Sequence, residues 1–486
     1  MAAVVSGPST PGLVRRPVPL AVVLCSTQFL NIVNLSSVSI ALPDIAGDLG
    51  LGEAALPWVI SAYALTFAGF LLVGGRAADL LGRRRVLVCG FAAFAAFEAV
   101  AASAPGSAVL IGARGAQGIG AALMIPASLG ILTDAFVEPS ARSRALAGFG
   151  VGGAVGYAVG LLVGGMVTDA LGWRWVFGSM VVPTVALIAL TVALVPPDPP
   201  AGHAEGRLDL AGAGAATAGL LGLIFALTNA RTAGWAGVAT MLPLAGGVAL
   251  LVAFLRLQAR AGDPLMPFGV WRRPNFSAVM GIAVCLYAAW NGVTFFLVLT
   301  LQRVLDYSAT GAALALLPLV AGGVIGSTAA GLLLPRTGPK PVLLLGLSVY
   351  LAAIGLLALI GADSTYWFHI FGAISLANLG NSCTMVATNV TALSGVAPDE
   401  RSLAGGLFTT SLQVGSGLGL AVIGAVAATA GPDGASGPAL LPAYQAAFRT
   451  ALGIAAVGIV IALVFVRVPF GAGLAAGTPQ EGAGPR

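Results

Sequence analysis

Two ionisable groups set in apolar sequence are the residues best placed to do chemistry in this chain. Glu98 lies in the stretch Phe91–Ala102, and Arg114 follows a short Ser/Pro/Gly connection, in the stretch Leu110–Met124. If both stretches are helices, they form an antiparallel hairpin. At 1.5 Å per residue the two groups then fall at one depth, about 10 Å from the connecting end. The spacing therefore predicts a Glu98–Arg114 ion pair. Ionisable groups in such surroundings are costly and functional by default. The pair is open to two readings, a static buried bridge or a proton carrier.

A second ionic cluster is Gly75-Arg76-Ala77-Ala78-Asp79-Leu80-Leu81-Gly82-Arg83-Arg84-Arg85. Gly75 and Gly82 would permit a tight turn. Asp79 can pair with Arg83 or face a helix N-terminus, where a carboxylate is favoured. With Arg83 and Arg84 it forms a cluster able to favour one packing of two helices over another, as a gate requires. Metal and nucleophile chemistry finds no support. Cys25, Cys89, Cys285 and Cys383 fall in separate apolar stretches, and His203 and His369 are isolated. No cofactor, metal or catalytic residue is expected, and no phosphate-binding G-x-x-x-x-G-K loop is present.

Polar side chains recur at helical spacing in otherwise apolar sequence. They are Gln28, Asn31 and Asn34; Gln117; Tyr287, Trp290, Asn291 and Thr294; and Asn378, Asn381, Ser382, Thr388 and Asn389. Amides facing lipid would be costly, so these rows should face inward, to a cavity or to another helix. The cavity lining predicted from them is Asn31, Asn34, Gln117, Tyr287, Trp290, Asn291, Asn378 and Asn381. Gly148, Gly152, Gly156, Gly160 and Gly164 repeat every fourth residue, a spacing that lets two helix backbones approach closely. Such a seam packs two helices and could also let them slide.

The elements that must hold these residues follow from composition. Of 486 residues, 58% are apolar and 8% charged, against about 25% charged in a soluble domain. With a mean hydropathy of +0.97, the chain belongs in lipid. That excludes a soluble enzyme, a nucleic-acid binder and a disordered scaffold. Fourteen stretches are long and apolar enough to cross a bilayer as helices. They divide into a six-helix bundle over 20–195, two additional helices over 208–256 and a second six-helix bundle over 276–466. Cytoplasmic connections occupy 196–207 and 257–275, and disordered tails occupy 1–19 and 467–486. Of the 23 Lys and Arg residues, eighteen fall in one set of alternate loops and the tails. Only Arg174, Arg231 and Arg303 fall in the opposite loops. This asymmetry puts both termini in the cytoplasm and explains the net charge of +5 without nucleic acid.

Several of these stretches together resemble one family. The Gly75–Arg85 loop is similar to the loop signature of the major facilitator superfamily, and Arg114-Gly115-Ala116-Gln117-Gly118 to its second signature. Ile40-Ala41-Leu42-Pro43, Gly172-Trp173-Arg174-Trp175-Val176-Phe177, Asp263-Pro264-Leu265-Met266-Pro267-Phe268 and Leu301-Gln302 resemble its fourteen-span drug:proton antiporters, of the actinobacterial antibiotic and multidrug exporter type. Gly160-Leu161-Leu162-Val163-Gly164-Gly165 is similar to the antiporter signature, with Leu161 where the family has proline. Asn34 stands where the family has an aspartate.

The resemblance implies an all-α major facilitator fold in the cell membrane and secondary active export by alternating access. Small-molecule cargo, protons and membrane lipid are the partners expected, and the chain is expected to be a monomer. Because Asn34 is neutral and Glu98 is expected to pair with Arg114, a neutral or anionic amphiphile is expected as cargo, such as an antibiotic made by the host. An importer or uniporter of a small polar solute is the alternative within transport. A membrane-embedded enzyme would need a cluster of reactive groups that the sequence does not provide.

Overall fold

The computed structural model describes residues 17–467 apart from 53–54, 137, 199–209, 235, 261–273, 362–363, 394–400 and 432–436. The tails expected at 1–19 and 467–486 lie mostly outside the described residues, as do most of the two connections, His203 and the Asp263–Phe268 stretch; residues 17–19, expected in the first tail, instead begin the first helix. Those described are helical almost throughout. The first half contains α1 (Pro17–Leu49), α2 (Trp58–Leu81), α3 (Arg83–Ala102), α4 (Ser107–Ala135), α5 (Pro139–Leu171) and α6 (Arg174–Leu194). Then come α7 (Leu210–Ala233) and α8 (Val238–Arg260). The second half contains α9 (Pro274–Leu299), α10 (Ala309–Leu316), α11 (Pro318–Thr337), α12 (Pro339–Leu357), α13 (Phe371–Leu393), α14 (Arg401–Ala430) and α15 (Leu441–Phe465). α10 and α11 together cover one membrane-length segment, Ala309–Thr337.

Among the described residues, eleven helical segments are long and apolar enough to cross a membrane. Up to twelve qualify if α2, bent by 49° between Trp58–Leu71 and Val73–Leu81, is one span. Two stretches expected to span fall short of that measure, α13 by composition and α7 by the length of its apolar helix. α13 carries Asn378, Asn381, Ser382, Thr384, Thr388, Asn389 and Thr391, which lower its hydropathy, and α7 has a short apolar stretch, Gly214–Leu227.

The two halves repeat one design. α2 meets α3 at Gly82 (φ 100°) and α11 meets α12 at Gly338 (φ 81°), a backbone region that glycine enters without a Cβ penalty. Gly75 is not at a turn. It lies inside α2, where a Cβ would make only an ordinary 3.7 Å contact with Pro126, so the expected glycine at each end of the loop reduces to Gly82. α5 lies along α1, and the would-be Cβ atoms of Gly152, Gly156, Gly160 and Gly164 all meet α1 backbone. They would fall 3.0 Å from the Cys25 carbonyl, 2.8 Å from that of Phe29, 2.6 Å from that of Val33 and 2.6 Å from Ser37 Cα. Gly148 faces the Cys25 thiol. In the second half Gly415 and Gly419 of α14 are pressed in the same way on Val284 and Ala288 of α9.

One end of the molecule carries Arg76, Arg83, Arg84, Arg85, Arg142, Arg144, Arg336 and Lys340; the other carries Arg174 and Arg303. The halves join at the arginine-poor end. There Ile40, Leu42, Leu56, Val59, Leu110 and Phe177 of the first half share one apolar core with Phe296, Leu301, Val304 and Leu316 of the second. Gln302 Nε2 donates to the Ile40 carbonyl at 2.8 Å, in the turn that Pro43 loosens within α1. Toward the arginine-rich end the clusters at the ends of α1–α4 and of α9 and α14 stay within one half each. One holds Leu20, Leu24, Leu71 and Leu132, the other Phe276, Met280, Leu407 and Phe408. α7 bridges the sides at mid-depth, where Leu220 packs with Leu65 of α2 and Ala421 of α14.

Candidate functional site

Arg114 lies on the inward face of α4, 1% exposed, and Glu98 lies on α3, 0% exposed. They do not touch. Asn34 of α1 stands between them. Its Nδ2 donates to Glu98 Oε1 at 2.6 Å, and its Oδ1 accepts from Arg114 Nη1 at 2.7 Å. The predicted direct ion pair is therefore corrected to a three-residue relay. The reason is the donor–acceptor inventory, since an amide offers a donor to the carboxylate and an acceptor to the guanidinium at once, which an ionised aspartate could not.

The rest of the guanidinium is also engaged. Nη1 donates to Gln117 Oε1 at 2.6 Å, and Nε donates to the Val59 carbonyl of α2 at 3.0 Å. Arg114 Cζ lies 4.6 Å from the Tyr63 ring centroid and 6.0 Å from that of Phe177, within reach of cation–π attraction. The Tyr63 hydroxyl in turn donates to Asn31 Oδ1. Four helices thus hold one buried polar network. Glu98 Oε2 and Gln117 Nε2 are buried within it without a partner among the described residues. An oxygen left so in an apolar interior is a point of high local cost.

This corrects part of the expected cavity lining. Asn31, Asn34 and Gln117 are buried and hydrogen-bonded inside the first bundle. In the second half Tyr287, Trp290 and Asn291 of α9 are half-buried, and Asn291 Nδ2 donates to the Tyr287 carbonyl at 3.1 Å. Asn378 clamps α13 to α11 through the Leu319 carbonyl at 2.6 Å. Asn381 donates to Asn378 Oδ1 at 3.4 Å, and its own Oδ1 is buried without a partner among the described residues. Asn378 and Asn381 sit seven and ten residues into α13, the same places that Arg114 and Gln117 hold in α4. The repeat therefore keeps the polar positions and drops the charge.

At the arginine-rich end Arg83 holds α3 to two other helices. It pairs with Asp79 at 3.0 Å and with Asp134 of α4 at 2.5 Å, and it donates to the Gly130 carbonyl at 2.8 Å. The carboxylate on the α3 N-terminus is that of Asp198. It accepts from the backbone amides of Arg84 at 2.9 Å and Arg85 at 3.0 Å. A Cβ on Gly82 would collide with it. Arg84 Nη2 donates to the Val192 carbonyl of α6 at 2.6 Å. Asp134 and Asp198 belong to this cluster and were not singled out by sequence spacing. An acidic residue behind Pro196-Pro197 was the one available signal, and its target lies 114 residues away.

At the arginine-poor end the Gly172-Trp173-Arg174 stretch ties α6 to α1. Trp173 Nε1 donates to Asp48 Oδ2 at 3.0 Å, and Arg174 pairs with the same carboxylate.

Two pseudo-repeated helical bundles, joined at one end and carrying a buried charge relay, define a membrane transporter. The Major Facilitator Superfamily model matches residues 24–420, with a second match over 279–484. The chain is 36% identical to the puromycin resistance protein pur8 of Streptomyces alboniger, over 92% of this chain and 90% of that protein. It is 36% identical to the cephamycin export protein CmcT of Amycolatopsis lactamdurans, over 83% of each. Among solved structures it superposes on the nucleoside transporter NupG with a TM-score of 0.67 at 13% identity, covering 92% of this chain and 100% of that one. It also superposes on a bacterial homologue of the lysosomal transporter Spinster, in an inward-facing and unoccupied conformation, with a TM-score of 0.62 at 19% identity, covering 93% and 96%. The chain belongs to the major facilitator superfamily and is a multi-pass membrane transporter, not an enzyme.

Proposed function

We propose that the chain exports an antibiotic made by its own host, a neutral or anionic amphiphile, and exchanges it for protons by alternating access. Two relatives are named for puromycin resistance and cephamycin export, which favours a self-made antibiotic. The observation that carries the reading is the relay Glu98–Asn34–Arg114. The carboxylate and the guanidinium are tied to each other through one amide, so no free anionic charge is offered to a cationic cargo there. Glu98, with one oxygen left without a partner among the described residues, is the group assigned to proton coupling.

Fourteen spans are supported by length. α7 and α13 have 24 and 23 residues, about 35 Å at helical rise and enough for a bilayer core of about 30 Å. The arginine-rich end is assigned to the cytoplasm with both termini. With the halves joined at the other end, the described state then opens inward. The half-buried Tyr287, Trp290, Asn291 and Asn378 are the cavity residues retained in this reading.

The test is susceptibility of a drug-sensitive host expressing the chain, screened across charge classes, with Glu98→Gln beside it. Protection against neutral or anionic antibiotics is expected, and Glu98→Gln should abolish efflux driven by a pH gradient. Quaternary-ammonium dyes as the best cargo would overturn the specificity. Unchanged pH-driven efflux in Glu98→Gln would remove Glu98 from coupling.

A further inference from the structure

The contact across the halves at the arginine-poor end has an electrostatic component. Asp169, near the end of α5, accepts from the backbone amides of Ala309 at 3.1 Å and Thr310 at 2.9 Å, the first two residues of α10. A third amide of that helix start, Gly311, donates to Ser308 Oγ at 3.0 Å. Helix starts carry free amides and partial positive charge, and a carboxylate there is favoured. Here the carboxylate belongs to the first half and the helix to the second. Beside it Gly165 lets the chains close, since a Cβ there would lie 2.8 Å from the Ala309 carbonyl.

We propose that Asp169 is the latch that holds the arginine-poor mouth shut, and that each transport cycle breaks its bonds to α10. This rests on the alternating-access reading above. In that cycle the mouth must open to release cargo, and the contacts that bind one half to the other there must part. Most of them are apolar and undirected. Asp169 is a point where a single side chain spans the seam with two directed, charge-assisted bonds. It is a positioning residue, acting on the balance between the two states and touching no cargo.

The test uses the full chain in cells, with Ala309→Cys as reporter. Ala309 is 3% exposed in the closed mouth, so a membrane-impermeant maleimide should label it slowly from the outer side. Asp169→Ala is expected to speed labelling about twofold to fivefold, the range an exposed carboxylate at a helix start supports. Asp169→Glu, which still presents a carboxylate, should recover part of the difference. Gly165→Ala should speed labelling by wedging the same contact while Asp169 stays in place. Labelling rates unchanged by both Asp169→Ala and Gly165→Ala would overturn the latch. The reporter needs no cargo, so the two readings fail separately. Absent efflux with labelling that still depends on Asp169 counts against export and for the latch; intact efflux with labelling indifferent to Asp169 counts against the latch alone.

Discussion

Asn34 donates to Glu98 at 2.6 Å from within the first bundle, and the same amide accepts from Arg114 at 2.7 Å. One neutral side chain therefore does the work of keeping two buried charges apart and compensated. The arrangement follows from where each helix places its inward face, since α1, α3 and α4 each contribute one member.

Replacing that amide should be expensive. In Asn34→Leu both Glu98 Oε1 and one Arg114 donor lose their partner while buried. Breaking a buried charge contact on one side costs about 3–5 kcal/mol. The expected outcome is a large drop in the midpoint of thermal unfolding in detergent, together with loss of efflux. A midpoint equal to that of the parent would show that the relay is not a structural element.

The Arg83 cluster should respond to geometry more than to charge. Its guanidinium bonds Asp79, Asp134 and the Gly130 carbonyl together, and a lysine ammonium cannot reproduce that fork. The carboxylates are largely exposed, at 54% and 72%, so each pair contributes at most about 1 kcal/mol to stability. Arg83→Lys is expected to leave the melting midpoint nearly unchanged and to slow the initial rate of efflux severalfold. Parent-like rates would exclude a gating role.

The α1–α5 seam distinguishes glycines that are needed from those that are not. Gly164→Val would drive a branched side chain into Ser37 and Ile40, where a Cβ would already lie 2.6–3.0 Å from both residues. Overpacking of this kind costs about 1–3 kcal/mol. Gly150, on the same helix, has nothing within 4 Å of its would-be Cβ. Gly150→Ala should gain up to about 1 kcal/mol from helix propensity. Opposite shifts in melting midpoint are the expected result; equal shifts would refute the seam.

Asp198 is expected to act as a helix cap. Asp198→Ala removes the acceptor of the Arg84 and Arg85 amides, a loss worth about 0.5–2 kcal/mol at a helix start. Hydrogen exchange at those two amides should quicken, and Asp198→Asn should restore much of the protection. Exchange unchanged in Asp198→Ala would mean that the cap contributes nothing.

By itself the sequence determined that this chain lives in lipid, which helices hold its polar groups, and which end carries the arginines. Those properties depend on composition and on period, which act locally along the chain. It also located Glu98 and Arg114 at one depth, because a hairpin of two helices is a local object. Only the tertiary structure decided what lies between them. Asn34 reaches the pair from a helix 64 residues before Glu98, and nothing in its own surroundings marks it as a bridge and not a cavity residue. The same holds for Asp198 at the start of α3 and for Asp169, from α5, at the start of α10. Each is an ordinary carboxylate in sequence, and each finds free helix amides only when bundle packing brings a distant helix start within 3.1 Å. A periodic pattern says which way a side chain faces. Which partner meets it there depends on how whole helices cross, and that is set by contacts summed over both halves.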